Sequence, residues 1–219
     1  MANFSHCQPP IFEFDDADSL GESNTYPPAV ELFIQGADPT DVYFIRSGIV
    51  KLTRSEANGE AILLDLRFQG SLVGSAAAIS EKPHPFAATT VTACALTRWT
   101  SPKFLTLMAT NTSVATRVRR TLSDEVLDHV ARISQLTCLP ARQRLEQLLW
   151  AFCERAQAGN EPAATVSKLQ LPLKHYEIAH LLSITPTYLC RLLNTLEKEN
   201  VIARNKGWII VKERRWVDS

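Results

Sequence analysis

Residues 171–211 read LPLKHYEIAHLLSITPTYLCRLLNTLEKENVIARNKGWIIV, and this stretch decides the fold of the C-terminal part. Lys174–Leu182 fits one helix, Ser183, Ile184 and Thr185 a tight turn, and Pro186–Glu199 a second helix. Val201–Arg204 and Trp208–Val211 then form a short hairpin around Asn205-Lys206-Gly207. Thr185 is placed to cap the second helix with its hydroxyl. Pro186 falls at the first helical position, where a missing N–H costs nothing. Leu189, Leu192, Leu193 and Leu196 recur at i, i+3, i+4 and i+7 and predict one buried stripe. Thr187, Arg191, Asn194 and Lys198 fall on the opposite face. A helix, turn, helix and hairpin in this order read as a winged helix-turn-helix, which projects one helix into a DNA major groove. The polar face has suitable chemistry: a guanidinium for guanine O6 and N7, an amide for adenine, hydroxyls and lysines for phosphates. The candidate DNA-contacting residues are Thr185, Thr187, Tyr188, Arg191, Asn194, Lys198 and, in the hairpin turn, Lys206. The competing reading is an ordinary amphipathic helix with a solvated polar face; the ordered sequence of elements argues against it.

Upstream of this module the period of the sequence becomes helical over residues 112–137. Val114, Val118, Leu122, Val126, Val130, Ile133 and Leu136 make one stripe, widened by Leu127. A helix of this length runs roughly 39 Å at 1.5 Å per residue, more than a small domain needs for cover. We therefore read it as a dimerisation helix, with Val118, Leu122, Val126, Val130 and Ile133 as its seam, because two-fold DNA readers need paired half-sites. Leu139-Pro140 ends it, and residues 141–156 start another helix with Leu145, Leu148, Leu149 and Phe152 on one side. Residues 158–165 (AGNEPAAT) read as a loop.

From residue 26 to residue 99 the pattern is short strands between turn residues: Glu31–Ile34, Val42–Ile45, Ile49–Leu52, Ala61–Leu66 and Thr89–Ala93. Many short strands at near-regular spacing predict an antiparallel barrel or jelly roll. Residues 1–25, with two early prolines and an acidic run, predict a poorly structured N-terminal segment. The chain is thus read as α+β: an N-terminal segment (1–25), a β-barrel (26–111), a dimerisation helix (112–137) and a winged helix-turn-helix (138–219).

The 219 residues carry 23 Lys+Arg and 23 Asp+Glu. The balance is uneven along the chain. Residues 137–219 hold 12 basic and 8 acidic side chains, leaving 11 and 15 before them. A basic C-terminal part on an acidic N-terminal part suits contact with a polyanion at one end. No apolar run reaches the length that spans a bilayer, and the N-terminus lacks the pattern of a secretory signal, so the expected location is the cytoplasm. Cys7, Cys94, Cys138, Cys153 and Cys190 form no C-x-x-C pair, which excludes a zinc ribbon or thioredoxin motif. Most of them are expected to be free and buried. Only His84 among the five histidines lies in the barrel region, too few for a cupin-type metal enzyme. No catalytic residues, metal or cofactor are expected.

Taken together, residues 26–215 resemble the Crp/Fnr family of bacterial transcription regulators. In the barrel the resemblance rests on Leu32-Phe33, Gly36, Val42-Tyr43, Ile45, Ser47-Gly48, Val50, Asn58-Gly59-Glu60, Gly70 and Gly74. In the DNA module it rests on Glu177-Ile178-Ala179, Leu181-Leu182, Ile184-Thr185-Pro186, Leu189 and Arg191-Leu192-Leu193. Arg191 falls on the family's guanine-reading arginine, whereas Pro186 and Thr187 replace charged residues of its best-known members. The resemblance implies a homodimer on a palindromic double-stranded operator, contact with RNA polymerase, and a small-molecule effector held in the cyclic-nucleotide-binding-like barrel. The implied pocket residues are Gly74, Ser75, Ala76, Lys82, His84, Ala87 and Thr89. The family's nucleotide binders use a glutamate for the ribose and an arginine for the cyclic phosphate. Ser75 stands in place of the former, and Lys82 and His84 are the only positive groups between Arg67 and Arg98. A buried phosphate without a bidentate partner is poorly stabilised, so cyclic AMP is not the expected effector. With one cysteine near the N-terminus, an iron–sulfur cluster is not expected either. The alternatives are an effector-independent DNA binder with a vestigial pocket and, further off, a redox or haem sensor.

Overall fold

The computed structural model describes residues 21–157, 167–169, 171–205 and 208–212. The N-terminal half is built on two four-stranded antiparallel sheets. The first has β1 (Glu22–Tyr26), β8 (Cys94–Thr100), β3 (Asp41–Ser47) and β6 (Leu72–Val73), in that order across the sheet. The second has β2 (Glu31–Phe33), β7 (Ala87–Thr90), β4 (Val50–Ser55) and β5 (Ala61–Arg67). Eight strands in two facing sheets make a jelly roll, as the strand spacing predicts. Two short helices accompany them: α1 (Ser75–Ser80) between β6 and β7, and α2 (Ser101–Thr110) after β8. Then come α3 (Thr112–Cys138) and α4 (Ala141–Gln157), β9 (Ser167–Leu169), α5 (His175–Leu181), α6 (Pro186–Lys198), β10 (Ile202–Asn205) and β11 (Trp208–Val211). The chain forms two compact units, one ending at Leu127 and one starting at Asp128.

The organising element of the first unit is β3. Its residues Val42, Tyr43, Phe44 and Ile45 are all buried, so it lacks the alternation of a half-exposed strand. Val42 and Phe44 pack with Leu72, Ala78, Trp99, Phe104, Leu107, Val114 and Val118 in the layer formed with the helices. Tyr43 and Ile45 point the other way and join Val50, Leu52, Val73, Ala88, Cys94 and Leu96 inside the roll. One strand thus serves two cores, as the two-residue period allows. Arg98 of β8 grips Asp41 of β3 with two hydrogen bonds of 2.9 and 3.1 Å, which fixes the strand pair at its edge.

Three expectations need correction. Residues 22–25 are not unstructured: β1 pairs with β8 in register from Glu22 opposite Arg98 to Tyr26 opposite Cys94. The segment is polar because it forms an edge strand whose side chains are mostly exposed. The late β-rich run ends at Thr90, and Thr92 turns instead to accept the backbone N–H of Ile49 with its hydroxyl at 2.9 Å. Finally, α3 has the predicted extent, but its stripe is divided. Val114 and Val118 are fully buried within their own jelly-roll core, with Leu122 partly buried against it. Val118 therefore cannot belong to a seam with another chain. Val126, Leu127, Val130 and Ile133 are 59, 66, 59 and 63 % exposed.

In the second unit, Leu145, Leu148, Leu149 and Phe152 of α4 are buried, as their spacing predicts. The hairpin β10–β11 forms with Ile202 opposite Val211, and β11 also pairs with β9, a strand that the sequence pattern did not show. The hairpin turn at Lys206 and the loop at 158–165 lie outside the described residues, as do residues 1–20 of the N-terminal segment.

Candidate nucleic-acid interface and jelly-roll pocket

The two helices α5 and α6 are held at their turn by local chemistry. Glu177 accepts the backbone N–H of Lys174 at 2.8 Å and closes the start of α5. At its end, Ser183 sits in the left-handed region (φ 50), Ser183 N–H donates to His180 O and Ile184 N–H to Ala179 O, both at 3.0 Å. This pair of bonds is a Schellman motif. The Thr185 hydroxyl then accepts the Tyr188 N–H at 3.2 Å and Pro186 opens α6, as predicted. Helix α6 ends with a second Schellman motif, in which Asn200 (φ 62) takes the left-handed position.

Leu189, Leu192, Leu193 and Leu196 are buried. That orients α6 and leaves Thr185, Thr187, Tyr188, Arg191, Asn194 and Lys198 on its exposed side. The structure brings these six together on one surface. Among the described residues, no carboxylate pairs with Arg191, so its guanidinium projects without an ion-pair partner. The far end of α6 is tied down: Arg142 of α4 donates to Glu146 at 2.8 Å and to Glu199, and these contacts hold the Glu199 carboxyl below its usual range.

One contact changes the chemistry of this surface. Arg204 of β10 donates to Glu197 through Nε at 3.0 Å and through Nη2 at 2.6 Å, and the same Nη2 donates to Asn194 Oδ1 at 2.6 Å. The Glu197 carboxyl is lowered by that guanidinium. One lone pair of the Asn194 carbonyl oxygen is therefore already in use. Bidentate reading of adenine needs both amide groups. In this arrangement the N–H donors are the part of Asn194 left fully open, and they suit guanine O6 or N7, thymine O4 or a phosphate.

In the first unit, a cavity of 230 Å³ is lined by Leu52, Arg67, Leu72, Val73, the 74–77 segment, Ser80, residues 82–86 and Glu125. Five of the seven expected pocket residues are present: Gly74, Ser75, Ala76, Lys82 and His84. Ala87 and Thr89 lie on β7 and do not line it. Gly74 holds φ +89, and a Cβ there would stand 2.7 Å from the Asp41 carbonyl oxygen, so this position needs glycine. His84 is buried, stacks on Phe33 with ring centroids 3.7 Å apart, and has an Nδ1 with no hydrogen-bond partner among the described residues. Burial pushes its pKa down, so the ring is neutral near pH 7.

Sequence reasoning missed the most strongly charged part of the cavity. Arg67 of β5 lines it, so Lys82 and His84 are not its only basic groups. Arg67 Nη1 lies 3.2 Å from Glu125 of α3, and Arg67 Nε lies 3.5 Å from Asp65. Glu125 is 58 residues away in the chain, and no local spacing could announce the pairing. The cysteines also depart from expectation: Cys94 and Cys153 are buried, but Cys138 and Cys190 are exposed.

A jelly roll with a pocket, followed in the chain by a long helix and a winged helix-turn-helix, is the architecture of a DNA-binding transcription regulator. Family comparison bears this out. Residues 23–111 match the cyclic nucleotide-binding domain model and residues 143–216 the Crp-like helix-turn-helix domain model. The chain belongs to the Crp/Fnr family of transcription regulators. It is 22 % identical over 187 residues to the cAMP-activated global transcriptional regulator CRP of Salmonella typhimurium, covering 85 % of this chain and 87 % of that protein. It is 24 % identical over 201 residues to the cyclic AMP receptor protein of Thermus thermophilus, covering 92 % and 88 %. The fold matches that of the c-di-GMP responsive global regulator CLP of Xanthomonas campestris with a TM-score of 0.73, at 19 % identity over 89 % of this chain and 95 % of that one. These relatives are regulators, not enzymes. Among the described residues, no helix is long and apolar enough to cross a membrane.

Proposed function

We propose that the protein is a two-fold dimer that reads a palindromic operator through α6, under the control of a small molecule in the jelly-roll cavity. The observation that carries this reading is the exposed α6 face, with Arg191 unpaired among the described residues and four leucines fixing the helix beneath it. Dimerisation is supported by the exposed half of the α3 stripe, because large apolar side chains clustered on a surface mark an interaction site. RNA polymerase is the partner such a regulator would meet at a promoter. Control by an effector is favoured over a vestigial pocket because the cavity is open and keeps a neutral buried histidine on its wall.

Cyclic AMP is not the proposed effector, although the relatives above are named for it. Ser75 offers a neutral hydroxyl where the family's nucleotide binders place a carboxylate for the ribose, and the one guanidinium in the cavity wall is already shared by two carboxylates. Selection of bound sequences from a random DNA pool tests the whole reading. The expected product is a palindrome with half-sites about 34 Å apart or a multiple of it. Recovery of a single unpaired site, or of no consensus, would contradict it.

The Arg204 contact gives a sharper expectation within that experiment. Arg204→Ala releases Asn194 Oδ1. The selected operator should then gain adenine at the base facing Asn194, since a freed bidentate amide discriminates by about 1–3 kcal/mol. An unchanged base preference would show that Arg204 does not set the hydrogen-bonding sense of Asn194.

A further inference from the structure

We propose that the cavity takes an uncharged, single-ring-sized molecule bearing one hydrogen-bonding group, and that it selects against carboxylates and phosphates. This rests on reading the cavity as the effector site, and it names the ligand class.

Size sets the first limit. An apolar protein cavity of about 150 Å³ holds benzene, and sites for drug-sized ligands begin near 300 Å³. The 230 Å³ within this partly open pocket seats one ring and a few further atoms. The walls agree: Leu52, Leu72, Val73, Ala77, Pro83 and Phe86 offer apolar surface.

Charge sets the second limit. Arg67, Glu125 and Asp65 have side chains only 13, 19 and 24 % exposed. Arg67 is already held by two carboxylates, so an entering anion must compete with them for the guanidinium and loses its water on the way in. His84 is neutral and adds no cation. Lys82, an exposed lining residue, can keep its own charge in solvent.

Hydrogen bonding sets the third. Ser75 and His84 are both buried on the cavity wall, and the His84 Nδ1 has no partner among the described residues. Buried polar groups left unmatched in a folded protein call for a partner. A ligand hydroxyl or amide beside this pair supplies one.

The test uses the full-length protein and four probes: benzyl alcohol, toluene, benzoate and cyclic AMP, each titrated by calorimetry. Benzyl alcohol should bind saturably, and toluene more weakly. Benzoate and cyclic AMP should bind at least about tenfold more weakly than benzyl alcohol, the scale of one uncompensated charged contact. Glu125→Gln removes one carboxylate from Arg67 and should raise benzoate affinity several-fold more than benzyl alcohol affinity. Wild-type binding of benzoate or cyclic AMP as tight as that of benzyl alcohol would overturn the proposal. So would the absence of saturable binding by either uncharged probe, or an equal response of charged and uncharged probes to Glu125→Gln. The DNA selection is run without probes, so a failed cavity and a failed DNA reading give separate results.

Discussion

Aspartate at both Val130 and Ile133 is expected to yield a monomer that no longer holds a palindromic site. These side chains are 59 and 63 % exposed on α3, so the substitutions remove nothing from the core of the chain itself. In a two-fold assembly each new carboxylate would face its own symmetry mate or the apolar side chains around it. Burying such charges without partners costs more than a helix pair of this size can supply. A monomer engages one half-site, and its affinity should fall towards the non-specific range, a loss of about 10³-fold or more. Sedimentation measures the mass and a gel shift the affinity. A variant that sediments as a dimer and binds its operator normally would remove α3 from the interface.

The second large effect is expected from Arg191→Ala. A bidentate arginine–guanine contact is worth about 1–3 kcal/mol of discrimination, and a dimer loses it in both half-sites. Arg191→Lys should fail to restore it, because an ammonium lacks the planar fork. The readout is loss of guanine preference at one symmetric position, with phosphate-driven binding largely kept. Unchanged affinity and preference would show that Arg191 does not read a base. Replacing Leu193 instead would not discriminate, since truncating a buried leucine costs about 2–5 kcal/mol of folding stability whatever the surface does.

The DNA module was legible almost residue by residue because its determinants are local. The leucines of α6 lie within eight positions, its cap is Thr185, and Pro186 follows it. The jelly roll was legible as a class but not in detail. Strand β8 escaped notice because it pairs with β1 on one side and β3 on the other. Its burial is broken, with both Leu96 and Thr97 covered, so it shows no clean alternation. The period of α3 announced a helix but not which half its own chain covers. That depends on Trp99, Phe104 and the far-off Val42 and Phe44 meeting Val114 and Val118. The cavity was half legible. Gly74, Ser75, Lys82 and His84 are neighbours in sequence, whereas Arg67 and Glu125 come from β5 and α3 and meet only in the folded unit.

Strand β3 carries a consequence for how this chain can vary. A one-residue insertion within Asp41–Ser47 would swap Val42 and Phe44 with Tyr43 and Ile45, and neither neighbourhood could accept the exchange. The hairpin tip at 56–60, wholly exposed, has no such double duty. Natural lengthening and artificial tags should therefore accumulate at that tip, while the ribbon through the middle of the roll stays invariant in length across descendants of this gene.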